Sequence, residues 1–329
     1  SSHFRFDTQG PIGRTGERGP PGPPGPSALD CSNIVDVSGI YFCNGTSITT
    51  FSGECITISG CLDMSCNSIL DVSMIDFCDD IVLTKPSSGG IAIGDSATGY
   101  LPGTNSISIG DSAGNGASRL FSIAIGQGAG NTDQQPNTIA IGNVAGLGTQ
   151  GDSAIAIGQL AGGTSQGANS IAVGKVAGGN SQGDNSIAIG NGAGAGNQQA
   201  QTIAIDENAG AGTQGQNAIA IGELAGTTTQ GSSAIAIGFN AGQTAQGDRA
   251  ISIGENAGRI NQLNTSIAIG YQAGNQDQSS NAIAIGQQAG SLNQQNGSIA
   301  IGYQAGYIDQ SSNAVAIGQQ AGYQDQSSN

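Results

Sequence analysis

The chain has 329 residues and a formal net charge of −15, with 57 glycines, no tryptophan, 4% aromatic and 9% charged residues. An average domain carries roughly 25% charged residues and more bulky side chains, so one large globular core is excluded. Disorder would call for higher charge and fewer β-branched residues, which leaves a repetitive fibrous or solenoid protein. Eight Lys and Arg against 23 Asp and Glu exclude a nucleic-acid-binding surface. The one histidine, His3, sits at the start of the chain and removes Ser–His–Asp, Cys–His and His-based metal chemistry from the body. An enzyme is not expected, and neither is a cofactor. No apolar run approaches the ~20 residues of a membrane span, so membrane insertion is not expected. The sequence opens on Ser1 without a Met or a leader-like stretch, and is expected to be part of a longer chain.

Residues 1–26 hold six unbroken G-X-Y triplets, with Gly10, Gly13, Gly16, Gly19, Gly22 and Gly25 at every third position. Six of the nine prolines lie among them. Only glycine fits at the axis of three staggered polyproline-II chains, so this register predicts a collagen triple helix and therefore three chains. The stretch is short, and an adjoining trimeric domain is expected to hold it together.

Residues 27–86 hold all six cysteines: Cys31, Cys43, Cys55, Cys61, Cys66 and Cys78. The segment contains a duplication, in which CSNIVDVSGIYFCNG (31–45) matches CNSILDVSMIDFCDD (66–80) at an offset of 35. Alternating stretches such as ITIS and IYF read as short strands, giving a Cys-rich β neck. Six cysteines in so short a stretch suit an oxidising compartment and a disulfide staple, within one chain or among three. Buried free thiols are the alternative. Zinc is disfavoured because no CxxC pair occurs.

Residues 87–329 are fifteen tandem repeats at a constant step of sixteen, without an insertion. Ile-Ala-Ile-Gly starts at 91, 107, 123 and onward to 299, and Val315 completes the series. Counting that first Ile as position 0, Ala stands at +1 except for Ser108 and Ser252, and Ile at +2 except for Val173. Gly stands at +3 except for Asp206, Ala at +6 throughout, Gly at +7 except for Thr98, and Gln at +11 except for Pro102 and Ser118. A fixed period is the mark of a solenoid. This one is too short for helical repeats, and its β-branched run and glycines favour strands. One coil of a thin parallel β-solenoid, with two short strands and two turns, accounts for one repeat.

Alternation along the first strand puts the Ile pair on one face and Ala +1 on the other. The favoured arrangement turns Ile into the coil and Ala +1 toward partner subunits; the reverse would build a trimer axis from Ile. Ala +6 is expected in a tightly packed interior. The Gln column reads as a ladder of stacked amides at a turn. Asp95, Asp111, Glu207, Glu223 and Glu255 at +4 read as solvated surface, and Asp206 as tolerated variation at a turn. Phe239, Tyr271 and Tyr303 at +4 and Tyr307 and Tyr323 at +8 read as surface decoration, with stacking on glycans as the alternative. Asn44, Asn264 and Asn296 each begin an N-x-S/T glycosylation motif.

The repeat NSIAIGNGAGAG (185–196) resembles the NSVAIG-type repeats of trimeric autotransporter adhesin heads. That resemblance implies a left-handed parallel β-roll with three chains around one axis; the period here is longer than is typical there, and the regular Gln is an addition. The co-occurrence of collagen triplets, the NSILDVSMIDFCDD segment and IAIGxxAG arrays resembles collagen-like surface-fibre proteins of giant DNA viruses. It implies a virion-surface or extracellular location.

The expected molecule is an all-β fibrous homotrimer with a collagen stalk, a Cys-rich neck and a β-solenoid shaft. It would project, coat or attach. The alternative is a trimeric adhesin that binds a host receptor or a glycan. An ice-binding solenoid is disfavoured, because +10 mixes Leu, Ala, Asp, Thr, Ser and Asn rather than repeating one hydroxyl residue.

Overall fold

A computed structural model describes residues 74–77, 81–84, 90–94, 96–97, 105–116 and 120–325, and side chains from residue 90 onward. All of these lie in the unit Ser68–Asn329. The collagen triplets, the cysteines and Asn44 lie outside the described residues.

The repeats form a β-solenoid. The first strand of each coil, such as Ile187–Ile189, pairs in parallel with its counterpart one coil on, so that Ile187 lies beside Ile203 and Ala188 beside Ala204. This offset of one repeat holds from Ile91 to Ile317. A second strand, two or three residues long and present from Asp133–Gln134 to Leu292–Gln294, builds the opposite sheet, pairing Gln182 with Gln198 and Gln198 with Gln214. The constancy of the offset explains the lack of insertions, because an extra residue would bulge one rung of both ladders.

The first sheet is prolonged at its N-terminal side by a hairpin of β1 (Met74–Phe77) and β2 (Ile81–Thr84). The strand β2 runs antiparallel to β3 (Ile91–Ile93), with Leu83 beside Ile93 and Thr84 beside Ala92. The sheet of the solenoid thus begins inside the segment read as the neck.

The favoured facing of the first strand is reversed. Ala +1 is buried throughout the described coils, at 0–1% exposure, and points into the coil. The Ile columns at 0 and +2 point outward, with Ile157, Ile189 and Ile237 at 36–39% exposure. The reason is thickness. The two sheets of so short a coil stand close together, and the space between them is already taken by alanine and by the Gln at +11. Two columns of branched side chains do not fit there as well.

The interior therefore has four columns: Ala +1, Ala +6, Gln +11, and a small residue at +15 that alternates among Ala, Ser and Thr. Ala193 and Ala188 are fully buried, as are Gln214, Thr202 and Ala218. Ala +6 occupies the tight interior expected for it.

Candidate functional site

The outer surface has four strips, set by the two strands and the two bends of each coil. The first is the Ile face described above. It is unbroken along the array, and its end positions are the most open, with Val315 at 49% and Ile317 at 65% exposure. No apolar element covers it among the described residues.

The second strip is the bend at +3 to +7. Gly +3 takes φ values of 118–132°, outside the range of L residues, and a Cβ on Gly174 would lie 2.5 Å from the carbonyl oxygen of Gly190. Asp206 adopts φ 100° in the same place and accepts the Glu207 N–H with its own carboxylate at 2.8 Å. That bond explains how an acid is tolerated there. Position +5 is left-handed in every coil, including at Val144 and Val176 with φ 60° and 58°. Beside it, Phe239, Tyr271 and Tyr303 stand 42–43% exposed on alternate coils. Gln320, Gln304 and Gln288 each donate to the preceding coil's Gln, forming a surface amide ladder that ends on Gln272. Asp111, Glu207 and Glu255 are exposed at +4, as expected.

The third strip is the outside of the second strand, and it comes in two forms that the sequence analysis missed. Up to Thr229–Gln230 the strand has two residues. From Thr244–Gln246 it has three, and +10 becomes left-handed, at Ala245, Asn261, Asp277, Asn293, Asp309 and Asp325. The signal was present in sequence: small residues and glycine at +8 and +9 give way to bulkier ones, and +10 turns to Asn and Asp, which tolerate this backbone. The mixture at +10 is thus partly two populations. Tyr307 and Tyr323 stack here at +8, with ring centroids 5.1 Å apart and planes 17° apart.

The fourth strip is the bend at +12 to +15. Asn264 and Asn296 are exposed at +13, two coils apart on one edge. The Asn264 Oδ1 accepts the Asp248 N–H at 3.0 Å, while the motif hydroxyls Ser266 and Ser298 are buried on the carbonyls of Leu263 and Gln295.

Beneath these strips the Gln column is the expected ladder, but it lies inside the coil on the second strand rather than at a turn. Each Nε2 from Gln134 to Gln310 crosses the coil to the carbonyl of that coil's Ile at 0; Gln214 reaches Ile203 at 2.8 Å. From Gln230 to Gln310 the amides also form an unbroken chain of five bonds at 3.0–3.1 Å. Among the earlier coils the chain is interrupted, and the buried Oε1 atoms of Gln166, Gln182 and Gln198 have no protein partner. Such amides are structural, since no ligand could reach them.

A family model described as the YadA head domain repeat (2 copies) matches residues 180–205, 214–241 and 279–305. Each stretch spans two successive Ile strands. These three stretches of the array are similar to head repeats of the YadA type. This bears out the resemblance to trimeric autotransporter adhesin heads. No curated protein and no solved structure matches the chain. Among the described residues, no helix is long and apolar enough to cross a membrane, and no group of three or more His, Cys, Asp or Glu is placed to hold a metal.

Proposed function

We propose that the YadA-type array is the shaft of a homotrimeric surface fibre, in which the outer Ile columns of three rolls cover one another. The outward Ile face carries this reading. Full burial of an Ile side chain is worth about 1.5–3 kcal/mol, so covering the last third of two columns over fifteen coils yields roughly 15–30 kcal/mol gross per chain. Association costs about 4–15 kcal/mol, and the gain exceeds it. Sedimentation should give close to three times the chain mass of 32.3 kDa. Ile189→Asp, on the outer column, should lower that mass while the coil stays folded. A folded monomer in the unmodified protein would refute the trimer.

The glycine register from Gly10 to Gly25 supports a collagen stalk wound from the same three chains. The cysteines at 31, 43, 55, 61, 66 and 78 would staple the neck. Non-reducing electrophoresis should then differ from reducing; alkylation of all six under denaturing, non-reducing conditions would show free thiols instead. The fibre would stand on a virion surface or outside the cell, and Asn44, Asn264 and Asn296 could carry glycans there. Imaging of native particles tests the location.

The exposed aromatics at Phe239, Tyr271 and Tyr303 favour a second reading, an adhesin that holds a host receptor or glycan by stacking. Glycan-array binding that Tyr271→Ala abolishes would support it.

A further inference from the structure

We propose, resting on the stacking reading of the exposed aromatics, that Phe239, Tyr271 and Tyr303 form a linear platform for an extended β-1,4-linked polysaccharide. Its units would be glucose or N-acetylglucosamine, with one aromatic ring under every second sugar.

The three residues occupy the same position, +4, on alternate coils, and each is 42–43% exposed. The coils that carry and separate them pair in parallel and in register, from Ile235 beside Ile251 to Ile283 beside Ile299. One coil advances by ~4.8 Å, so successive rings stand about 10 Å apart along the axis. The backbone under them is held in place. The carbonyls of Phe239, Tyr271 and Tyr303 accept the N–H groups of Asn256, Gln288 and Gln320 in the next coil, each at 2.8 Å. A platform fixed in this way loses little freedom when a ligand docks.

The alternation keeps the ring faces open. Tyr307 and Tyr323, on adjacent coils at +8, stack on each other with centroids 5.1 Å apart, and their facing sides are used up. Rings two coils apart lie beyond the roughly 4.5–7 Å of an aromatic pair. The +4 side chains between them are Glu255 and Gln287, both exposed. The rings of the row therefore do not cover one another.

An extended β-1,4-linked chain has the matching geometry. Each sugar is flipped relative to the one before, so equivalent ring faces recur at every second unit. Each unit advances by nearly one strand spacing, so the recurrence nearly equals two coils. The ring substituents are equatorial, which leaves axial C–H bonds to meet the negative face of an aromatic ring. The +4 positions 239, 255, 271, 287 and 303 then underlie five sugars, of which the first, third and fifth are stacked. Polar partners flank the row at +5. Gln288 and Gln304 each give one amide N–H to the surface ladder and retain a second for a sugar hydroxyl or acetamido oxygen. Chains linked α-1,4 or β-1,3 coil instead, and their ring faces do not recur along a straight line at this interval.

The test is titration calorimetry on the full chain with sugars of defined linkage. Cellopentaose or chitopentaose should bind at least about tenfold more tightly than the matching disaccharide, because one chain engages three rings at their own spacing. The same preference should hold over maltopentaose, and the tighter of the two ligands names the source of the polysaccharide. Equal affinity for maltopentaose, or no gain from disaccharide to pentasaccharide, would overturn the proposal and leave stacking on other glycans standing. These comparisons use the unmodified chain and decide the matter even if a variant fails to fold. Tyr271→Ala should lose about tenfold in pentasaccharide affinity. A swapped variant, Tyr271→Gln with Gln287→Tyr, keeps the composition, uses residues already found at +4 and breaks the interval; it should lose a similar factor. Undiminished binding by the folded swapped variant would overturn the spacing argument alone. A glycan array without any bound sugar would sink both the platform and the stacking reading. A lower sedimentation mass for Tyr271→Ala would do the same, by assigning the row to contact between rolls.

Discussion

A Cβ placed on Gly194 would lie 2.5 Å from Cδ of Gln198. The glycine at +7 therefore marks the gap through which the interior amide of the same coil passes. Gly162 and Gln166 repeat the relationship, as do Gly274 and Gln278. The two most regular polar and small positions of the repeat are one packing unit, since the Gln can reach across the coil only where +7 has no side chain.

The tightness of this interior can be measured with Ala193→Leu. Ala193 is fully buried between the sheets and packs in the alanine cluster with Ala188 and Ala204. Overpacking should cost about 1–3 kcal/mol per chain, and the coil should open to protease. Asn191→Leu, two residues earlier on the exposed bend, should be nearly neutral in the same thermal and proteolytic assays.

The amide ladder should show two strengths. Gln262 receives bonds from Gln246 and Ser252 and donates to Ile251 and Gln278. Gln262→Leu strands several buried partners, at about 1–3 kcal/mol for each group left unsatisfied. Gln182 donates only to the Ile171 and Ser186 carbonyls, and its Oε1 has no protein partner. Gln182→Leu should therefore cost clearly less in denaturant unfolding.

Left-handed backbone at +5 offers a stabilising change. Val176 holds φ 58° there, whereas Asn208 and Asn256 hold 53° and 56° in other coils. A left-handed β-branched residue costs roughly 1–2 kcal/mol, and Asn relieves part of it. Val176→Asn should raise the melting temperature; a lower value would show that the Val side chain contributes packing that outweighs its strain.

Removing residues 187–202 should shorten the roll by about 5 Å, one strand spacing, and leave it folded. Ile171 would then pair with Ile203, which stands where Ile187 stood. Removing only half of that coil should set strand against bend and unfold the neighbourhood. Particle length and proteolysis separate the two outcomes.

Period, strand position and buried Ala +6 were legible because each repeats fifteen times in register with the coil. The facing of Ile187 and Ala188 was not. Alternation separates the two faces and leaves open which one is inside, and a preference for large apolar groups in the core points the wrong way in so thin a coil. The small column at +15 was visible as Thr202, Ala218 and Ala234, but its variety hid a common requirement for size. The change of strand form after Gln230 was written in +8 to +10 and is only meaningful once those positions are known to share one strip. Of the candidate surface, the exposed aromatics were readable as outward side chains. The Ile face was readable only as the less favoured of two options.

Because each residue lies beside its own counterpart one coil away, the fold selects for side chains that are compatible with themselves. An amide satisfies this, since it both donates and accepts; Gln278 to Gln294 indoors and Gln304 to Gln288 outdoors use the same property. A carboxylate does not, because a column of like charges repels. Several acids instead find unlike neighbours, as where Asn261 donates to Asp277 and Asn293 to Asp309, both at 2.8 Å, and like pairs such as Glu207 with Glu223 are confined to exposed positions. A charged fraction of 9% beside abundant Gln and Asn agrees with this requirement of translational symmetry along the axis. A mutation that is harmless in one coil would become harmful once duplication copied it into the next.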